Sequence, residues 1–295
     1  MRKVAFIINP VSGFGRKSLL DRRISRFFNP LNGWEATCYR TVGANDAFQA
    51  AQRFKEEQFD LVVAVGGDGT VNQVAQALVH SAVPMGIIPT GSGNGLARHL
   101  KIPLSVRRSI ELILNGKITT IDSGEINGRP FFCTAGVGFD ANLANRFNRA
   151  QMRGFPSYVA LSAVEYSHYH PDTYSIYIGE KEIIREAFLI TFANCAQWGN
   201  NVYIAPDASA TDGLLDMVIW KKTPRLRIPL IAMRLITRNI DHSHRIEIIK
   251  GHSFRIKRAR EGWVHFDGEQ VQMGSELTVV VCPGTLKVVT PCTYQ

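Results

Sequence analysis

The chain lacks any apolar run near the roughly 20 residues a membrane-spanning helix needs, so no such helix is expected. Its opening, Met1 to Pro10, is too short and too abruptly ended for a secretory h-region, and the expectation is a cytoplasmic protein. Cysteine is scarce: there are 5 in 295 residues. Cys38, Cys133, Cys195, Cys282 and Cys292 form no CxxC pair and have no His at zinc spacing, so neither a disulfide framework nor a structural zinc site is signalled. They are expected to be reduced and mostly buried. Internal repeats and low-complexity tracts are also missing, and 45% hydrophobic against 20% charged residues excludes a disordered or fibrous chain. Acidic residues are thin in one region. Residues 221 to 260 hold 12 Lys or Arg against Asp241 and Glu247, a local excess of +10 in a chain of net charge +9. That excess suits nucleic acid, an anionic membrane, a polyphosphate or plain solvation, and charge alone does not choose.

What is present reads first as alternating strands and helices. Val4 to Ile8, Trp34 to Thr41, Asp60 to Val65 and Met85 to Ile88 are β-rich runs. Helical patterns lie between and after them: Leu19, Leu20, Ile24, Phe27 and Phe28, then Ala44 to Phe54, Val71 to Val79 and Leu96 to Leu100. The near-continuous apolarity of residues 60–65 fits a parallel strand covered on both faces. Beyond about residue 124 the runs shorten: Phe131 to Ala135, Tyr174 to Ile178, Ala187 to Ala193, Leu215 to Trp220, Phe254 to Lys257 and Leu277 to Val281. One helix is expected after Pro224, with Leu226, Leu230, Met233, Leu235 and Ile236 on its apolar face and Arg227, Arg234 and Arg238 along one side. The prediction is therefore α/β: a doubly wound domain over 1–124 and a β-rich domain over 125–295, whose last strand, Leu286 to Thr290, could return to the first.

Three strand ends in the first domain run into polar, glycine-bearing loops, and ligands of open α/β sheets bind at such ends. The strongest is Gly66-Gly67-Asp68-Gly69-Thr70, set between a buried strand and a helix. Glycines there let the backbone approach a phosphate, and the helix N-terminus favours negative charge. Asp68 is the odd member, because a carboxylate repels phosphate unless a cation or a transferable proton intervenes, which points to metal-mediated phosphoryl chemistry. The plainer reading is a turn with Asp68 as helix cap. Thr90-Gly91-Ser92-Gly93-Asn94-Gly95 and Asn9-Pro10-Val11-Ser12-Gly13 complete the set, with ordinary turn chemistry as the alternative for each. Neither GxxxxGK[ST] nor a clean GxGxxG occurs at these turns, so a P-loop NTPase and a dinucleotide fold are poor matches.

In the second domain Asp267-Gly268-Glu269 places two carboxylates about a glycine at a strand end. Such a pair can divide the work of base and neighbour, or form a hairpin turn. Asp207, Asp212 and Asp216 offer hard oxygens for Mg²⁺ without EF-hand spacing, or make a solvated acidic turn. His168, His170, His242 and His244 fall in polar stretches and read as surface residues.

Taken in order, Ile8-Asn9-Pro10-Val11-Ser12-Gly13, Gly66-Gly67-Asp68-Gly69-Thr70-Val71-Asn72, Gly91-Ser92-Gly93-Asn94, Asp212-Gly213-Leu214-Leu215-Asp216 and Asp267-Gly268-Glu269 resemble the diacylglycerol kinase catalytic-domain family, which includes bacterial lipid kinases and the sphingosine and ceramide kinases. The resemblance implies an ATP-binding α/β catalytic domain and a β-sandwich lipid-binding domain, as in the related NAD kinases. It implies ATP with Mg²⁺ at Gly66 to Thr70, with Asn9, Pro10, Ser12, Gly13, Gly91, Ser92, Gly93 and Asn94 around the nucleotide. It makes Asp267 the preferred general base, with Asp68 as the rival by analogy to sphingosine kinases, and counts Glu269 as catalytic within the network of a structural Mg²⁺. A second, structural Mg²⁺ is implied near Asp212 and backbone carbonyls such as that of Leu214. Gly95 after Asn94 departs from the Gly-Thr-x-Asn-Asp of many bacterial members, which leaves the lipid open between diacylglycerol, a sphingoid base, ceramide and another amphiphile with a free hydroxyl.

The activity so implied is ATP-dependent transfer of a γ-phosphate to a lipid hydroxyl by an enzyme that touches the inner, anionic membrane surface, through Arg225, Arg227, Arg234 and Arg238. The expected partners are a lipid substrate and that surface, without nucleic acid; a homodimer is compatible with the sequence. The alternatives are an NAD kinase-like enzyme acting on a soluble hydroxyl, and a non-catalytic nucleotide- or nucleic-acid-binding protein. The second lacks an aromatic-interleaved basic strand or a helix-turn-helix, and its acidic loops would repel a polyanion.

Overall fold

A computed structural model describes residues 1–13, 17–143, 164–166 and 168–294, with only the backbone of 17–19. Gly15 and the side chain of Leu19, both part of the expected first loop and helix, lie outside what is described. The chain divides into two compact units, residues 1–121 with 284–295, and residues 122–283.

The first unit alternates β1 (Arg2–Ile8), α1 (Lys17–Phe27), β2 (Trp34–Arg40), α2 (Asp46–Glu56), β3 (Leu61–Gly66), α3 (Asp68–Leu78), β4 (Met85–Pro89), α4 (Gly95–His99) and α5 (Val106–Asn115). Its parallel strands run in the order β2-β1-β3-β4. All six residues of β3 are buried, as a central strand covered on both faces requires. On one face Val4, Phe6, Val63 and Val65 pack with Ile24 of α1, with Phe28 just past its end and with Ile110 and Ile113 of α5. Residues of opposite parity, Ala5, Ile7, Val62 and Ala64, are also buried, and the buried alanines of α2 and the Val74, Ala75 and Leu78 side of α3 serve that face. Helix α5 has no counterpart among the expected helices. Ser105 stands at its cap position, a residue type that marks a helix start, though it makes no side-chain cap bond.

The second unit is a β-sandwich-like body. Its strands are the end of β5 (Lys117–Ile126), β6 (Arg129–Phe131), β7 (Thr134–Gly138), β8 (Asp172–Ile178), β9 (Lys181–Ala187), β10 (Leu189–Ala193), β11 (Gln197–Gly199), β12 (Val202–Tyr203), β13 (Leu215–Trp220), β14 (Ile246–Gly251), β15 (Ser253–Arg258), β16 (Gly262–Phe266), β17 (Glu269–Met273) and the start of β18 (Glu276–Thr290). One sheet runs β14-β13-β10-β7-β16-β17; the other sets β18 beside β15, β8 and β9. Between them lies a core of Ala135, Val137, Ile190, Phe192, Met217, Val264 and Phe266 against Tyr174, Ile176, Phe254, Ile256, Leu277 and Val279. The end of β18 belongs to the first unit, where Val288 pairs in parallel with Met85 of β4.

Several local expectations need correction. The run Phe131 to Ala135 is two strands broken at Phe132 and Cys133, whose amides bond a side chain instead of a ladder. Ala187 to Ala193 breaks at Phe188, which joins strands of different sheets. Of the cysteines only Cys195 is buried; Cys38 is exposed on the edge strand β2, and Cys292 is exposed after β18. The helix after Pro224, Ile228–Ile236, buries Ile231 and Leu235. Leu226, Leu230, Met233 and Ile236, expected on its apolar face, are instead exposed. Arg238 lies past the helix end at φ 60°, stacked 4.0 Å from the Tyr203 ring centroid and donating to its hydroxyl at 2.7 Å, so it does not continue the arginine row.

Candidate active site

At the carboxyl ends of β1, β3 and β4 the three glycine-bearing loops are tied into one structure. Asn9 Nδ2 donates to Thr70 Oγ1 at 3.1 Å, and the Ser12 and Thr90 hydroxyls lie 3.0 Å apart. The Thr90 amide donates to the Gly66 carbonyl at 2.8 Å. Glycine is required here for loop-to-loop packing. A Cβ on Gly13, itself at φ 36°, would stand 2.2 Å from the Thr90 carbonyl oxygen, and one on Gly91 would stand 2.5 Å from Gly67 Cα. Gly69, by contrast, has nothing within 4 Å of its Cβ position, and it is the member open for a ligand's approach.

Asp68 sits in the first turn of α3, and its carboxylate reaches across to the third loop. The Asn94 amide donates to Oδ2 at 2.9 Å and the Gly95 amide to Oδ1 at 2.7 Å. Asp68 is therefore a cap, but of α4 rather than of its own helix. These amides supply part of the compensating positive charge and leave each oxygen free to accept more. Asn94, at φ 52°, closes the same loop by accepting from the Gly91 amide at 3.1 Å and donating to the Gly91 carbonyl at 2.7 Å. A recess of about 230 Å³ beside this cluster is lined by Asn9, Gly69 and Thr70, and by Thr41, Gly43, Ala44, Ala47 and Gln73, none of them a sequence-predicted site residue beyond the first three. The available signal was that β2 ends on the same sheet edge in Thr41-Val42-Gly43, a fourth polar loop.

In the second unit Asp267 and Gly268, at φ 49° and 92°, form the two-residue turn between β16 and β17, so the Asp-Gly hairpin is real. The turn also aims a carboxylate. Asp267 Oδ2 accepts from the Phe132 amide at 2.8 Å, and Oδ1 accepts from Cys133 at 2.8 Å and Thr134 at 2.9 Å. Burial pushes its pKa up to about 6, against the downward pull of the three amides and of nearby His265. Oδ2 accepts only one bond among the described residues and keeps a lone pair for a proton. Glu269 does not join it: it pairs with Arg129 at 3.0 Å, so the two carboxylates have separate partners.

Residues behind Asp267 carry no mark in the sequence. Asn194 Nδ2 donates to the Phe132 carbonyl at 2.8 Å and to the Asp122 carbonyl at 2.9 Å, and the Asn194 and Cys195 amides donate to the Cys133 carbonyl. This fixes the broken segment whose amides hold Asp267. His265 is buried with its Nε2 2.8 Å from Asp140 Oδ2, which also accepts from Thr191 at 3.1 Å. A single Asn and a lone His form no local pattern, and only strand pairing brings them here.

The two expected Mg²⁺ positions differ in fit. Asp68 is half-exposed and each of its oxygens accepts one N–H, which leaves room for a nucleotide-borne cation. The Asp212 turn does not fit. Asp212 Oδ1 accepts from the Leu214 amide, and the Lys250 ammonium lies 3.4 Å from Asp212 Oδ2, 3.5 Å from Asp216 Oδ2 and 3.0 Å from the Asp207 carbonyl. An ammonium already neutralises the place where a structural Mg²⁺ was expected. Among the described residues no group of three His, Cys, Asp or Glu is gathered closely enough to hold a metal. His168, His170, His242 and His244 are exposed, as surface residues should be.

Comparison with known proteins agrees with this fold. Residues 3–126 match the model of the diacylglycerol kinase catalytic domain, and residues 133–290 match that of the YegS C-terminal NAD kinase beta sandwich-like domain. The chain is 29% identical over 279 residues to a diacylglycerol kinase of Bacillus subtilis, covering 91% of this chain and 90% of that one. It is 30% identical over 235 residues to a diacylglycerol kinase of Mycobacterium tuberculosis, covering 77% and 75%. A crystal structure described as a putative diacylglycerol kinase from Bacillus anthracis superposes with TM-score 0.79 at 21% identity, covering 99% of this chain and 98% of that one. An NAD kinase from Archaeoglobus fulgidus in complex with ATP shares the fold more distantly, with TM-score 0.56 at 12% identity and coverage of 99% and 95%. With its two halves matched in order and its loops knit around Asp68, the chain belongs to the diacylglycerol kinase family.

Proposed function

We propose that this protein is an ATP-dependent lipid kinase that transfers the γ-phosphate of ATP to a hydroxyl of diacylglycerol or a sphingoid-type lipid, working from the cytoplasmic side at a membrane surface. The observation that carries the reading is the knitting of three strand-end loops by Asn9, Asp68 and Asn94, in a chain whose relatives are named diacylglycerol kinase. The open Gly69 backbone at the start of α3 suits a polyphosphate, because the first-turn amides and the positive end of the helix dipole meet there.

In this reading Asp267 Oδ2 takes the proton of the lipid hydroxyl while the hydroxyl oxygen bonds to the γ-phosphorus and the bond to ADP breaks. A carboxyl with a pKa of about 6 is ionised at neutral pH yet more basic than an ordinary aspartate, which suits the role. Asp68 would hold Mg²⁺ arriving with the nucleotide, and that ion would offset charge on the transferring group. Asn9, Ser12 and Asn94 keep the loops in register. Glu269, paired with Arg129, has a supporting part.

The test is a labelled-ATP assay against diacylglycerol, a sphingoid base, ceramide and NAD. Label in a lipid supports the proposal. Label in NAD alone, or in none of the four, defeats it.

A further inference from the structure

The helix Ile228–Ile236 is apolar on two opposite sides. One side, Ile231 and Leu235, is buried in a core with Trp220, Ile240 and Ile246. The other is bare: Leu226 is 97% exposed, Leu230 44% and Met233 55%. Leu226 belongs to the single helical turn Arg225–Arg227 that leads straight into this helix, and Leu230 and Met233, three residues apart, share the outward side of the helix itself, so the exposed apolar residues follow one another along this element. Lone exposed hydrophobes are ordinary, but a contiguous ridge marks a contact surface.

The surroundings say what it touches. Arg225 and Arg227 are exposed and Arg234 is half-exposed, and among the described residues no carboxylate pairs with any of them. Beside Arg225 a recess of about 460 Å³ is lined by Tyr166, Lys222, Thr223, Pro224, Arg225 and Arg245, three of them cationic. An apolar ridge bordered by unpaired guanidinium groups matches acyl chains bordered by lipid phosphates.

We propose that the Leu226–Met233 ridge enters the headgroup layer of an anionic bilayer, with Arg225, Arg227, Arg234 and the Lys222–Arg245 recess engaging lipid phosphates. The inference rests on the lipid-kinase reading for its purpose and places the docking function on one element. Ile236 borders the ridge and joins it only at the rim.

The experiment is flotation of the whole protein with vesicles of phosphatidylcholine alone or with about 30 mol% phosphatidylglycerol. The wild type should bind the anionic vesicles, less so at high salt. Leu226→Ser with Leu230→Ser and Met233→Ser should weaken binding at least about tenfold while leaving the circular dichroism spectrum and turnover of a detergent-dispersed short-chain lipid unchanged. A Leu230→Trp variant should show a blue shift in the fluorescence of the introduced indole, and quenching by brominated lipid. Undiminished binding of the triple variant, or indole emission indifferent to vesicles, overturns the docking inference and leaves the kinase reading intact. A chain that binds vesicles through the ridge but phosphorylates no lipid sinks the kinase reading alone. A ridge that instead buries itself against a second copy, seen as a dimer that the triple variant dissolves, also overturns the inference.

Discussion

Asp267 and Thr134 hold each other twice: the Asp267 amide donates to the Thr134 carbonyl at 2.8 Å, and the Thr134 amide donates back to Asp267 Oδ1 at 2.9 Å. The clasp fixes both the backbone and the carboxylate of a residue at positive φ, a conformation that aspartate accepts in an Asp-Gly turn.

Asp267→Asn should lower kcat by about 10² to 10⁴ while leaving the KM for ATP within a few-fold, because the variant keeps an acceptor for Cys133 and Thr134 but loses the base. Steady-state kinetics with a thermal melt as folding control checks this. Near-normal turnover in a folded variant removes Asp267 from the reaction.

The pH dependence follows from the same group. Its folded pKa is raised from the ordinary 3.8 to about 6, so the native state holds this proton more tightly than the unfolded chain. The stability this contributes is complete below about pH 4 and is lost as pH rises through 6, whereas the base becomes available over the same window. The profile of kcat/KM should rise between about pH 5 and 7 with an apparent pKa near 6. An acid limb centred near about pH 4, the range of an ordinary carboxylate, contradicts the assignment.

Asp68→Ala strips two amides, Asn94 and Gly95, of their acceptor, at a cost of about 1–3 kcal/mol each if water does not replace it. The melting temperature should fall and the KM for ATP should rise. Gly91→Ala should do the same by a different route, forcing a Cβ to within 2.5 Å of Gly67 Cα. Unchanged nucleotide affinity in both variants argues that the loop cluster is not the nucleotide seat.

Lys250 already neutralises the carboxylates of the Asp212 turn, so the melting temperature of the wild type without nucleotide should not respond to EDTA. Lys250→Ala leaves the buried Asp216, whose pKa burial pushes up and Lys250 pulls down, without its cation. A loss of about 1–3 kcal/mol is expected, tempered by the lysine's partial exposure, and millimolar Mg²⁺ should restore part of it in the variant alone. A wild-type melt that drops on chelation shows that a metal occupies the turn after all.

How much was legible depends on how local each signal is. Strands β1, β3 and β4 announced themselves as apolar runs ending in polar, glycine-bearing loops, because buried parallel strands and tight turns restrict residue type over a few neighbouring positions. Phe132 and Cys133 read as strand because both are apolar, yet their amides serve a side chain 134 or more positions away, which no local pattern encodes. Asn194 and His265 were hidden for the same reason. Lys250 counts among the basic excess in sequence and shows no link to the Asp212 turn, since β13–β14 pairing alone brings them together. The Leu226 ridge reads as core, because periodicity reveals an apolar stripe but not which of two stripes meets solvent.

Strand β18 has a consequence for biosynthesis. Val288, fully buried, is the neighbour that completes the sheet edge at Met85, yet some 200 positions separate them. Until the ribosome has released that late segment, β4 presents an unpaired apolar border in an otherwise finished α/β unit, the kind of edge that other nascent chains can join. The early half of this chain is thus made first and matures last, and its exposure to aggregation is set by how quickly the remainder of the message is translated.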